Sequence, residues 1–458
     1  MNNNMLFSPK KIEYIDSEIF KMVELVEIMP NEEKSPNQSK GSLAHKSCID
    51  LSSKVIGNSS IQKTTRDSQN SIVAIEEELN GEIIGYTKEK CKEFDKFISN
   101  IYKEPSINSI VSRKFIHDVT LKWVFETYRL KQAKNSFSSH LLEKIHGSIE
   151  EMKFYYPILN LDIEQPFCIG NVKIEFLTKD FFDNLYSNLK KRKPDLDENP
   201  YESSIEKYQG CVYATSIVKA EETKAAEIAL KECMIAVDVL KICSDTVAIP
   251  QMQLSFDIDV RVKENARNEM FITQPNCEDG EMKMAIEMPH DHHTINLKDL
   301  QYMSYYRGLA VFHNFLLKVN QNPSELKQMI LNSIRRFGNA ISNQNLHQRI
   351  VELFTILESL LLLDSNSPII DSVCKYGSKL AFDKAEERKC TIELFKEMYN
   401  VRSSLIHHAK EISFELEKLC KFQITIVILL TNLIGKLQLH NTKHSLLQEI
   451  DDAILKAY

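Results

Sequence analysis

From about residue 300 almost to the end of the chain, apolar residues recur every three or four positions, the spacing that lines them up on one face of an α-helix. A stretch built this way can bury its apolar faces only by packing helix on helix, so this part must be a helical bundle. Polar, turn-prone breaks at 321–324, 364–367 and 383–386 divide it. The periodicity predicts helices over about 300–319, 324–340, 343–363, 368–382, 388–410, 413–440 and 443–456. The most apolar run, 424–434, is interrupted by Thr425, Thr431 and Asn432 and is about half the roughly 20 residues a membrane span needs. It reads as a buried helix, with more apolar surface than one intrachain face requires, so part of it is expected to pack against a second subunit.

The rest of the 458 residues divides by texture. A short helical pattern over 10–28 gives way to a polar stretch rich in Ser, Asn, Lys and Gln, so 1–71 reads as a short helix and a flexible linker. The region 72–152 reads as helical, from Phe94, Phe97, Ile98 and Ile101 and then Val119, Trp123 and Leu130. At Lys153 β-branched and aromatic runs begin, among them 154–158, 172–176, 211–215 and 253–258, with a helical pattern over 219–243 between the last two. The expected fold class is mainly α with an α+β middle region, 153–335, that acts as a regulatory or sensor segment ahead of the helical domain 336–458.

Composition excludes several functions. Lys and Arg total 57 against 64 Asp and Glu, a net charge of −7, so no global positive field holds nucleic acid and any such contact must be local. Only 12 glycines are present, with no G-x-G-x-x-G and no G-x-x-x-x-G-K-[ST], which argues against dinucleotide and P-loop chemistry. The ten cysteines never form C-x-x-C and read as free thiols. The amino terminus, MNNNMLFSPKK, lacks the apolar core of a signal peptide, so the expected location is cytoplasmic, with no membrane partner.

Three clusters could carry chemistry. His290-Asp291-His292-His293 offers metal-ligand types, but adjacent residues in a strand point to opposite faces and no further pair lies at ligand spacing, so no metal is assigned. Lys190-Lys191-Arg192-Lys193 is followed by Asp195, Asp197 and Glu198 and reads as a solvated, self-neutralising loop. The third is the stretch 399–408, YNVRSSLIHH. On a helix His407 lies about 140° round from Arg402 and about 7.5 Å along the axis, so a guanidinium and an imidazole could flank one groove. Equally, Arg402 could snorkel to solvent or pair with a core carboxylate, with the imidazole a surface group.

The wording Tyr399-x-x-Arg402-Ser403, with His407 after four intervening residues, resembles the R-x4-6-H signature of HEPN domains (higher eukaryotes and prokaryotes nucleotide-binding), particularly the Apea-like branch, which reads roughly Y-x-x-R-S-x-x-x-H-G. His408 stands where that branch usually has Gly. Upstream, 349–361 is similar to the family's first core helix with its L-E-x-L pattern, and 373–381 to its second. The resemblance implies a metal-independent endoribonuclease without cofactor, acting as a homodimer or higher oligomer, in anti-phage defence or as a toxin. It implies that Arg402 stabilises phosphate charge, His407 transfers protons and Ser403 supplies a hydroxyl, with Tyr399 and His408 touching substrate. The chemistry suits these residues: RNA carries its own 2′-OH nucleophile, and cleavage needs a base, an acid and a cation. Glu358, in line with Phe354 and Leu361 on a partly buried face, is expected to orient Arg402, because an unpaired buried carboxylate is costly. The competing reading is a HEPN module that binds RNA or nucleotide, or mediates assembly, without cleaving.

Overall fold

The computed structural model describes residues 6–29, 61–66, 72–79, 82–133, 135–192, 202, 205, 208–254, 256–259, 268–272, 283–287, 293–364 and 367–455. They form two compact units, 1–152 with 218–227 and 153–217 with 228–458.

In the first unit α1 (Pro9–Glu24) starts where Ser8 Oγ accepts from Lys11 N and Pro9 fits the first turn. Strands β1 (Glu27–Ile28), β2 (Ile61–Arg66), β3 (Ile72–Leu79) and β4 (Glu82–Tyr86) make an antiparallel sheet in the order β1-β4-β3-β2. Helices α2 (Lys88–Tyr102), α3 (Arg113–Leu130) and α4 (Phe137–Ser148) follow. Their apolar faces close on Tyr86, Phe94, Phe97, Trp123, Phe125 and Phe137. The buried Tyr86 hydroxyl is satisfied by donating to the Met22 carbonyl at 2.8 Å.

This corrects two sequence expectations. Residues 61–66, read as linker, form a paired strand, and the segment read as helical from 72 opens with two strands before its helices begin at Lys88. Ile72, Val73 and Ile75 satisfy a helical spacing and a β-branched strand alike, and pairing decides between them. The remaining linker positions, 30–60 and 67–71, lie outside the described residues.

The second unit holds most of β5 (Glu150–Leu159), β9 (Val212–Ala220) and α6 (Glu222–Cys243), which with β6 (Leu161–Ile163), β7 (Phe167–Ile169), β8 (Val172–Phe176), α5 (Lys179–Arg192) and β10 (Asp257–Ile258) make its α+β part. The central sheet runs β10-β5-β9-β8-β7. Strands β11 (Asn268–Ile272) and β12 (Lys283–Glu287) pair with each other, and β13 (His293–Ile295) pairs parallel to β6. Lys190, Lys191 and Arg192, expected in a loop, are the last turn of α5, where the Lys190 ammonium sits 5.4 Å from the Tyr186 ring one turn back. Lys193, Asp195, Asp197 and Glu198 lie outside the described residues.

The helical part comprises α7 (Leu297–Tyr306), α8 (Leu309–Lys318), α9 (Glu325–Ser342), α10 (Leu346–Leu361), α11 (Ile369–Ser372, continued through a π-helical turn Val373–Gly377 into Ser378–Ala381), α12 (Ala385–His408), α13 (Leu416–Lys436) and α14 (Lys443–Leu455). The single helix expected over 300–319 is broken at Gly308, whose φ of +77° suits glycine alone. Gly377 is forced by packing: a Cβ there would lie 2.9 Å from the Phe395 ring. Helix α9 packs on α10, α10 on α12 and α12 on α13. The α+β segment and these helices share one continuous core running from Ile158 to Ile450. One face of the apolar run of α13 lies in this core, with Ile426, Leu429, Leu430 and Leu433 buried, while Ile424, Ile428 and Ile434 are half-buried. By length and composition α13 alone of the described helices could cross a membrane, and half of its apolar window is buried within the fold.

Candidate functional site

The motif stretch lies in the last three turns of α12, and an aromatic cluster fixes that helix against α10. Phe354 of α10 stacks on Phe422 of α13 at 5.0 Å between centroids, Phe395 of α12 meets Phe422 edge-on at 6.0 Å, and Tyr399 meets Phe354 edge-on at 5.7 Å. One turn beyond Phe354 is Glu358, and one turn beyond Tyr399 is Arg402. Their side chains meet: Arg402 Nη2 donates to Glu358 Oε1 at 2.8 Å, and the guanidinium carbon lies 5.7 Å from the Tyr399 ring. Arg402 is only 14% exposed and Glu358 21%, so the pair is shielded from water and its charge-assisted bond is stronger than a surface pair would be. Arg402 Nε is buried and has no hydrogen-bond partner among the described residues, which leaves a donor of the guanidinium uncommitted.

His407 and His408 are exposed in the final turn, with ring centroids 6.5 Å apart. Among the described residues no hydrogen bond or ring contact joins either imidazole to Arg402. Tyr399, Ser403 and Ser404 are half-buried. The chain leaves the helix through Ala409, in the left-handed conformation with φ +50°, whose N–H reaches the Leu405 carbonyl at 3.1 Å while Lys410 N reaches Ser404 O at 3.2 Å. The position that a glycine would favour is therefore Ala409, one residue after the His408 position expected to hold it. His408 is helical, so its side chain is not a stand-in for a turn glycine.

Two supports of the site escape motif reading. Lys443 of α14 donates to the carbonyls of Ser359 and Leu362, capping the end of α10 just past Glu358. His347, at the start of α10, contacts the Ile412 carbonyl through Nε2 at 3.0 Å and sets its ring against Phe414 at 5.1 Å, which pins the segment that follows His408. Neither left a motif signal: Lys443 opens α14 and His347 opens α10, each far in sequence from the backbone it holds.

Deeper in the same bundle is a buried cation. Arg349 of α10, 2% exposed, donates to Asn343 O through Nε and Nη2 at 3.1 and 2.8 Å, to Pro250 O at 2.9 Å and to Gln423 Oε1 at 3.3 Å. Gln423, fully buried on α13, in turn donates to Val247 O at 2.8 Å and Thr246 O at 3.3 Å. Burial pushes the Arg349 pKa down to about 10, so it remains a cation at neutral pH. Its partners are main-chain carbonyls and an amide, an arrangement that anchors the 246–250 segment to the bundle.

Of the histidine cluster only His293 is among the described residues. His293 lies in β13, its ring edge-on to Phe256 at 5.4 Å and its Nε2 3.3 Å from Gln253 O, while 290–292 lie outside the described residues. Among the described residues no group of three or more His, Cys, Asp or Glu is placed to hold a metal ion, and the cysteines are free thiols. No family model, no curated protein and no solved structure matches the chain.

Proposed function

We propose that the chain is a metal-independent endoribonuclease whose reacting groups are carried at the end of α12. The observation that supports this is the ion pair between Glu358 and Arg402 on facing helices, which holds a guanidinium in one orientation on the helix whose last turn presents His407. In this reading Arg402 stabilises charge on the pentacoordinate phosphate, His407 takes the 2′-OH proton, Ser403 offers a hydroxyl, and Tyr399 and His408 flank the strand. Glu358 is a positioning residue. RNA is the substrate, no cofactor is required, and two copies acting together supply the second motif that the resemblance implies. The amino-terminal region is the part that would answer a phage or host trigger in a defence role.

One observation favours the non-cleaving alternative: Arg402 is largely covered and already satisfied in part by Glu358, which a purely structural or binding role would also produce. Incubation of the purified chain with total cellular RNA separates the two. The proposal expects cleavage that persists in EDTA and leaves 2′,3′-cyclic or 3′-phosphate ends. Intact RNA, or 3′-hydroxyl ends formed only with Mg²⁺, refutes it.

A further inference from the structure

We propose that the groove between α12 and α13 is a docking site for a Lys- or Arg-rich amphipathic helix of another protein. The groove has a volume of about 520 Å³, and Phe382, Leu394, Ile424 and the exposed Cys390 lie along its apolar floor. Phe382, Leu394 and Ile424 rest against the core but stay half-buried, so a partner that covers them removes more apolar surface from water. The proposal stands apart from the ribonuclease reading, because Arg402 lies about 120° round α12 from Cys390 and about 18 Å further along it.

The charges along the groove select a cationic occupant. Glu386, Glu387, Glu393 and Glu397 stand on the α12 margin, and Lys418 and Lys421 on the α13 margin. Both ammonium groups are already matched: Lys418 lies 2.7 Å from Glu397 and 3.4 Å from Glu415, and Lys421 lies 2.6 Å from Glu417. Among the described residues no ion pair reaches Glu386 or Glu393, and Glu387 meets only the exposed Lys384, at 3.8 Å. Arg388, Lys389 and Lys396 lie about 100° or more round α12 from Cys390, outside the groove. Glu386 and Glu387 also suit the positive end of α12, but Glu393 lies beyond the reach of that dipole.

Shape selects a helix. Both walls are helices whose backbone groups are bonded internally, so no sheet edge is offered for strand addition and side chains alone make the contact. The margin from Glu386 to Glu397 runs about 16 Å, roughly three helical turns, the length over which apolar residues at i, i+3, i+4 and i+7 present one stripe. Packed as a ridge between α12 and α13, such a stripe covers Leu394 and Ile424 while flanking Lys or Arg side chains reach Glu386, Glu387 and Glu393. A second copy fits less well, since the chain's net charge of −7 opposes its approach to an acidic margin.

The probe is a fluorescein-labelled peptide of about 18 residues, made of Leu and Lys with the leucines on one helical face, and fluorescence anisotropy reads its binding to the full chain. Glu386→Lys with Glu393→Lys should weaken binding about tenfold or more, with circular dichroism confirming the fold. Glu89→Lys with Glu93→Lys, the same charge change on exposed positions of α2, should leave affinity unchanged. Bound peptide should slow alkylation of Cys390 by iodoacetamide about tenfold and spare the rate at Cys168, which is also exposed. Equal losses in the two charge reversals overturn the proposal, as does a scrambled peptide of the same composition bound as tightly, or Cys390 alkylated at its free rate under saturating peptide. Light scattering in which the Glu386 and Glu393 reversal turns a dimer into a monomer with peptide affinity intact also overturns it and makes the groove a contact between copies.

Discussion

Replacing Arg349 by Met keeps most of the side-chain volume and removes the cation, so it isolates what the buried guanidinium does. Four hydrogen bonds disappear, to Asn343 O twice, to Pro250 O and to Gln423 Oε1. The bonds to Pro250 O and Gln423 Oε1 are fully buried, and an acceptor stripped of its donor in such a site costs about 1–3 kcal/mol. The Asn343 carbonyl is only partly buried and regains some solvation. Removing a desolvated charge returns part of the loss. The balance is a destabilisation of about 3–5 kcal/mol, large against the roughly 5–15 kcal/mol that holds a typical domain. Urea unfolding followed by circular dichroism, which is dominated by the helices of this unit, measures it. Arg349→Lys should fall between, since one ammonium cannot span the three acceptor groups. A Met variant within about 1 kcal/mol of wild type would refute the argument that this network anchors the 246–250 segment.

Three further outcomes follow from the geometry. Ala409→Gly relieves a left-handed residue at the end of α12 and should raise stability by about 0.5–1 kcal/mol in the same unfolding experiment, whereas a loss would mean that Ala409 is not strained there. Burial works to raise the Glu221 carboxyl, but N–H donors from Ser112, Thr223 and Lys224 outweigh it and hold its pKa below the ordinary range. That stabilisation is present above about pH 4.5 and is lost as the pH falls through the lowered folded value. The emission of the only tryptophan, Trp123, which lies in the same unit, should report acid unfolding that Glu221→Gln makes less steep. Glu358→Ala should lower RNA cleavage by about a hundredfold by freeing Arg402, while Glu358→Gln, which keeps an acceptor, should recover much of it; equal loss in both would assign the carboxylate a role of its own.

Helix positions were legible because one face of each is buried throughout: the expected 324–340, 368–382 and 443–456 correspond to Glu325–Ser342, Ile369–Ala381 and Lys443–Leu455 within a few residues. The hairpin strands were not, although Asn80-Gly81 between two apolar runs is a hairpin signal. Glu358 stood out because a carboxylate in line with Phe354 must find a partner. Arg349 and Gln423 did not, because a periodicity reading assigns polar residues to water, and their partners Pro250 and Thr246 are distant in the chain. The left-handed turn at Ala409 was invisible for a related reason: alanine carries no turn signature.

The most direct test of the ribonuclease account is single-turnover RNA cleavage by Arg402→Ala, His407→Ala and His408→Ala, each confirmed folded by circular dichroism. The account predicts losses of about 10² to 10⁴ for His407→Ala, which removes the proton acceptor, and a similar factor for Arg402→Ala, which removes the charge aimed at the phosphate. On a helix His408 lies about 120° away from Arg402 on the opposite side from His407, so its loss should cost under about tenfold. A dead His408→Ala beside an active His407→Ala would move the base by one residue; full activity in all three would contradict the account and leave a binding module.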